Sequence, residues 1–123
     1  MTIRQCLACD LKNEEEAIAA YEEYHRAENA WPEIVRSIKD AGIEEMEIYR
    51  TGNRLFMIIE VADDYDPVAK EAADAANPKV QEWEKLMGGF MDPLPWSTPG
   101  WAWVPMTPIY RLTDAVAAVG TGD

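Results

Sequence analysis

The chain is short of positive charge, of histidine and of cysteine. Lys and Arg total 11 among its 123 residues, against 23 Asp and Glu, so the formal charge is −12. A surface of that sign repels nucleic-acid phosphate and anionic lipid. No Lys/Arg cluster interrupts it, so a phosphorylated substrate finds no obvious docking point. Neutral ligands suit it better. No apolar run approaches the roughly 20 residues that a membrane helix needs. The opening MTIRQCLACDLKNEEE turns acidic before a signal-peptide core develops. These features predict a cytosolic protein that binds neither nucleic acid nor membrane.

Catalytic motifs are equally scarce. The chain has no GxGxxG or Walker-type phosphate loop and no GxSxG elbow. Cys6 and Cys9 have CxxC spacing, but a zinc site needs about four ligands, and only one histidine is present to join them. A redox pair should open a helix, where the thiol pKa falls. These two lie in strand-like sequence, where residues i and i+3 face opposite ways. They read as ordinary buried strand cysteines. Neither a metal nor an organic cofactor is expected.

What the chain does have is apolar bulk, 48% of residues, including five Trp. That is enough for one real core in one domain, and too much for wholesale disorder. Alternating apolar residues predict strands over 2–10, 43–50 and 54–62, the last two joined by a turn at Thr51-Gly52-Asn53. Asn13, followed by three glutamates, reads as the N-cap of a first helix. Pro32 forces a break near 29–31 and a restart, with Ile34, Val35 and Ile38 inward and Gly42 as the stop. Helices are expected over 65–75 and 77–89, divided by Asn77-Pro78 and ended by Gly88-Gly89. Residues 91–100 read as a rigid proline-rich loop, and 101–112 as a fourth strand whose Pro105 and Pro108 place it at an edge or bulge. One domain over 1–112 is expected, with 113–123 as a fraying tail.

The order β-α-β-β-α-β is the ferredoxin-like α+β plan: an antiparallel sheet with helices on one face. A second copy of the chain is the usual cover for the other face, as in dimeric α/β barrels, so a homodimer is expected. A ligand cleft is expected on that second face, among polar and aromatic residues.

His25 is the one side chain whose ordinary pKa suits proton transfer near neutrality. Tyr21 stands one helical turn before it, close enough to meet it. Each also has a plain packing role open to it. Tyr49 faces away from Met46 and Ile48, hence toward the expected cleft, unless it is a cross-strand packing residue with a surface hydroxyl. Trp83 shares a helical face with Val80 and Met87, as core or as a stacking surface. Trp31, before Pro32, anchors the helix break or lines a pocket. Trp96, Trp101 and Trp103 crowd a proline-rich loop, where aromatic faces bind sugar rings or close an interface.

Taken in order, Tyr21-x-x-x-His25, Trp31-Pro32-Glu33-Ile34, Ile48-Tyr49, Asn53-Arg54-Leu55-Phe56, Val80-Gln81-Glu82-Trp83-x-x-x-Met87 and Ile109-Tyr110-Arg111-Leu112 make the chain resemble the L-rhamnose mutarotase family over about residues 2–112. It departs in two places. Arg26 to Ala30 lengthen the spacing between His25 and Trp31, and Trp83-Glu84 stands where well-known members carry paired tryptophans. The rich aromatic segment from Trp96 to Trp103 looks more like relatives associated with L-fucose.

The resemblance implies a dimeric ferredoxin-like isomerase that interconverts the α and β anomers of a 6-deoxy-L-hexose, with L-fucose slightly preferred over L-rhamnose. It implies His25, Tyr21 and Tyr49 as catalytic residues, and Trp83 as the residue on which the sugar stacks. Trp31 and Trp103 are the further sugar-contacting candidates. No cofactor is required. A cofactor-free monooxygenase of the same fold and a non-catalytic small-ligand module are the competing readings, because fold does not fix function.

Overall fold

A computed structural model describes residues 2–98 and 102–120. Three long strands form the frame: β1 (Thr2–Leu11), β2 (Ile43–Thr51) and β3 (Arg54–Ala62). All pair antiparallel, with β3 central between β2 and β1. The turn from β2 to β3 needs a left-handed residue, and Gly52 supplies it at φ 57°. Arg50 closes the turn by donating from Nη1 to the Gly52 carbonyl at 2.7 Å.

The expected fourth strand is reduced to two short pieces, β4 (Met91–Asp92) and β5 (Val104–Pro105), both on the free edge of β1. Asp92 pairs with Asp10, and Val104 with Ala8. The reason is proline chemistry. Pro105 has no N–H to donate, and Pro108 follows three residues later, so pairing ends after one last bond from Met106 N to the Cys6 carbonyl at 2.8 Å.

Helix α1 (Glu15–Tyr24) starts later than the sequence implies. Glu14, not Asn13, occupies the cap position, and its side chain makes no capping bond. A single 3₁₀ turn, Ala27–Asn29, leads to α2 (Pro32–Asp40), which restarts at the proline as expected. Gly42 ends it at φ 94°. Helices α3 (Pro67–Ala75) and α4 (Pro78–Gly88) are each capped from the side, Asp66 accepting from Val68 N and Ala69 N, and Asn77 from Lys79 N and Val80 N. The tail expected to fray instead forms helix α5 (Leu112–Val119), ended by Gly120 at φ 66°. Leu112, Ala115, Ala117 and Ala118 favour that helix locally, although no residue in it is buried. No described helix is long and apolar enough to cross a membrane.

The odd-numbered positions of β3 and of the C-terminal half of β1 form the packed face. Cys9, Leu11 and Leu55 join Tyr21 and Met87 in one core cluster; Ile43, Ile59 and Val61 make a second, against Ile38, Met46 and Tyr65. Cys9 is buried as expected, and burial beside Asp10 pushes its thiol up to about 12. Cys6 points to the other face and is only partly buried. That face also carries Phe56, Ile58 and the ion pairs Arg4–Glu60 and Arg54–Asp10.

Candidate active site

The candidate cavity is not on the face where the sequence predicts a cleft. It lies between the sheet and the helices, with a volume of about 730 Å³. Met46, Ile48 and Met57 form its floor from the packed face of the sheet. Ile34, Val35 and Ile38 of α2 form a wall, and Ile38 also packs on the second core cluster.

His25 stands at the C-terminal cap of α1, where its backbone N–H closes the last turn on the Glu22 and Glu23 carbonyls. Its ring reaches back one turn, placing Nδ1 2.7 Å from the Tyr21 carbonyl oxygen. A carbonyl only accepts, so this bond puts the proton of a neutral imidazole on Nδ1 and leaves Nε2 as its base atom. The ring stacks on Tyr21 with centroids 4.1 Å apart, and meets Trp83 edge-on at 5.3 Å. His25 keeps a solvent-facing side, yet these rings withdraw water from the imidazole. Burial therefore holds its pKa below the usual 6.5, against the backbone hydrogen bond, which favours the charged form. Tyr21 is only 3% exposed, and burial, with Cys9 nearby, raises its phenol well above the ordinary value. It stays an O–H donor at any physiological pH.

Trp83 is at once a core-packing and a cavity-lining residue. Its indole packs on the core cluster around Leu11 and Met87 and also lines the cavity. Trp31 braces it at 5.0 Å in an edge contact, and Lys79 Nζ lies 5.7 Å from the Trp31 ring centre. Trp103 reaches the same cavity from just before β5. Trp96 is exposed, and Trp101 lies outside the described residues.

Tyr49 is the residue the structure sets apart. The period of two does separate it from Met46 and Ile48, but those two line the cavity. Tyr49 is 54% exposed on the opposite face, where Glu47 raises its pKa through charge and a hydrogen bond. The five other candidates, His25, Tyr21, Trp83, Trp31 and Trp103, all line one space.

Several wall residues escaped the sequence reading. Tyr24 meets Trp83 at 6.3 Å and Phe90 at 5.9 Å, and its place three residues before Ala27 gave no signal. Lys70, Asp74 and Glu84 bring charge to the cavity from α3 and α4. The Lys70–Asp74 spacing of four was visible, but such pairs usually sit on solvated helix faces. Among the described residues no cluster of His, Cys, Asp and Glu could hold a metal ion.

An acid/base residue beside stacked aromatics in a largely apolar cavity fits a small neutral ring compound. Comparison with known proteins agrees. The model of the L-rhamnose mutarotase family matches residues 4–112. An L-fucose mutarotase of Xanthomonas campestris pv. campestris is 46% identical over 114 residues, covering 93% of this chain and 91% of that one. A UPF0734 protein of Dictyostelium discoideum is 35% identical over 109 residues, covering 85% and 86%. Among solved structures, an L-rhamnose mutarotase from Formosa agariphila superposes with a TM-score of 0.63 at 25% identity, over 89% of this chain and 97% of that one. Tetracenomycin F2 cyclase from Streptomyces glaucescens superposes at 0.56 with 15% identity, over the same shares, and shares the fold alone. Together the order of motifs, the dimeric α/β-barrel type of fold and the match across residues 4–112 show that this chain belongs to the L-rhamnose mutarotase family.

Proposed function

We propose that the protein interconverts the α and β anomers of a 6-deoxy-L-hexose, with L-fucose preferred over L-rhamnose. The observation that carries the reading is the His25 imidazole, held by the Tyr21 carbonyl at 2.7 Å and edge-on to Trp83 inside the cavity. Identity of 46% to an L-fucose mutarotase supports the sugar.

Mutarotation moves one proton between two oxygens on the same carbon. His25 Nε2 takes the proton of the anomeric hydroxyl as the bond from C1 to the ring oxygen breaks. The imidazolium returns that proton to the ring oxygen, giving the open aldehyde. Rotation about C1–C2 exposes the other carbonyl face, and the same steps reverse. A neutral imidazole is suited to this near pH 7, and a positioned acid/base group contributes about 10²–10⁴-fold. Tyr21, which keeps its proton, donates a hydrogen bond to the oxygen that is gaining charge. Trp83, with Trp31 and Trp103, packs on the C–H face of the ring. The −12 chain carries no conflict with a neutral sugar.

A homodimer in the cytosol completes the reading. Support comes from the open sheet face, with Cys6, Phe56 and Ile58, and from the arm after β5, where Ile109 is 95% exposed alongside Tyr110 and Leu112.

The deciding experiment is NMR saturation transfer between the anomers of L-fucose and of L-rhamnose, with and without protein. Faster exchange, larger for L-fucose, is expected. A folded protein that accelerates neither sugar overturns the proposal.

A further inference from the structure

One wall of the cavity carries charge that the proton transfer above does not use. Lys70 and Asp74 stand one turn apart on α3, and Lys70 Nζ donates to both Asp74 carboxylate oxygens, at 2.9 and 2.7 Å. Their side chains are only 17% and 19% exposed. Glu84 of α4 shares this wall. Gln81 ties the two helices together, donating from Nε2 to the Asp74 carbonyl at 2.9 Å and reaching Glu84 Oε2 at 3.5 Å.

An exposed pair of this kind would be solvated and contribute little. Largely withdrawn from water at the edge of the cavity, it costs desolvation. One ammonium also faces two carboxylates, so the cluster keeps a net negative charge. Burial and the neighbouring Asp74 raise the Glu84 pKa, against Lys70 and Gln81, which lower it. The cluster therefore has more acceptors than donors. A neutral ligand with adjacent hydroxyls supplies donors without adding charge.

Position selects which hydroxyls. Successive residues of a helix turn about 100° apart. Trp83 meets the His25 ring, while its neighbour Glu84 interacts with Asp74 and Lys70. His25, Trp83 and the three charged residues all line the same cavity. A pyranose stacked on Trp83 with C1 at His25 turns its far edge toward α3. Resting on the mutarotase reading, we propose that Lys70, Asp74 and Glu84 bind the C3 and C4 hydroxyls of the sugar and set which 6-deoxy-L-hexose is accepted. L-Fucose and L-rhamnose differ in configuration at C4 as well as C2, so a group that reads C4 discriminates between them.

The test compares L-fucose, its 4-deoxy analogue and L-rhamnose with the unaltered protein, Asp74→Asn and Glu84→Gln, following anomer exchange by NMR. The unaltered protein should use the 4-deoxy analogue at least about tenfold less efficiently than L-fucose, chiefly through KM. In Asp74→Asn, L-fucose should fall toward the analogue, and the advantage of L-fucose over L-rhamnose should shrink toward unity while kcat is largely kept. Equal use of L-fucose and its 4-deoxy analogue by the unaltered protein overturns the proposal, and this arm needs no variant to fold. So does an equal loss for both natural sugars in folded Asp74→Asn and Glu84→Gln. Should the unaltered protein accelerate no sugar, the mutarotase reading falls separately. Ligand-observed NMR of L-fucose against its 4-deoxy analogue then decides the hydroxyl contact: tighter L-fucose binding supports it, and equal or absent binding overturns it.

Discussion

His25 Nδ1 lies 2.7 Å from the carbonyl oxygen of Tyr21, one helical turn earlier, and the two rings stack with centroids 4.1 Å apart. The backbone bond fixes the tautomer, and the stack fixes the plane of the ring. A residue at a helix cap, where side chains often swing freely, is thereby pre-set in one orientation. Little reorganisation is left for the moment of proton transfer.

Removing the imidazole should therefore cost rate, not structure. His25→Ala is expected to slow anomer exchange by at least about tenfold. Its thermal unfolding midpoint should stay close to that of the unaltered protein, because the side chain is solvent-facing on one side. Exchange by NMR beside a circular-dichroism melt checks both halves. Unchanged exchange would remove His25 from the mechanism.

The pH profile follows from the direction of the His25 shift. Its folded pKa lies below 6.5, so the neutral base persists below neutrality. Activity should be flat from pH 8 down past 6.5 and fall only in the more acid range, through the folded pKa. Stability has the matching sign. Below 6.5 the unfolded chain protonates this histidine more readily than the folded one, so its contribution is full above 6.5 and declines as pH falls toward the folded pKa. A rate profile whose midpoint lies above 6.5 would contradict the shift.

The two tyrosines separate cleanly. Tyr21→Phe removes an O–H from a residue that lines the cavity and should lower kcat by about tenfold or more, while the ring stack on His25 survives. Tyr49→Phe alters a hydroxyl on the opposite sheet face and should leave exchange within about twofold. Parallel rate measurements on the two variants check this. A large loss in Tyr49→Phe would place the chemistry on the face away from the helices.

Association is measurable directly. Sedimentation at micromolar concentration should give about twice the 13.9 kDa chain mass. Replacing Ile58 with Asp on the open sheet face should shift the protein toward the monomer, since a buried unpaired charge is costly at an interface. A monomeric unaltered protein would leave that face to solvent.

Much of this molecule is written in short-range pattern. Alternation marked β1, β2 and β3 almost to the residue, because one covered face imposes a strict period of two. Pro32, Gly42 and Gly52 punctuate the chain through their own backbone limits, which no tertiary contact needs to enforce. Tyr21, His25 and Trp83 could likewise be picked out, since helical spacing brings the first two together and the motif order adds the third.

Tertiary structure alone decided which side of the sheet holds the cavity. A period of two separates Tyr49 from Met46 and Ile48, but it carries no label for the face that the helices will hollow out. The fourth strand broke into β4 and β5 because edge pairing depends on backbone donors as well as side-chain pattern. Lys70, Asp74 and Glu84 looked like solvated helix charges, as their spacing along α3 and α4 allows. Only the packing of those helices over the sheet withdrew Lys70 and Asp74 from water and brought all three to the space that His25 and Trp83 share.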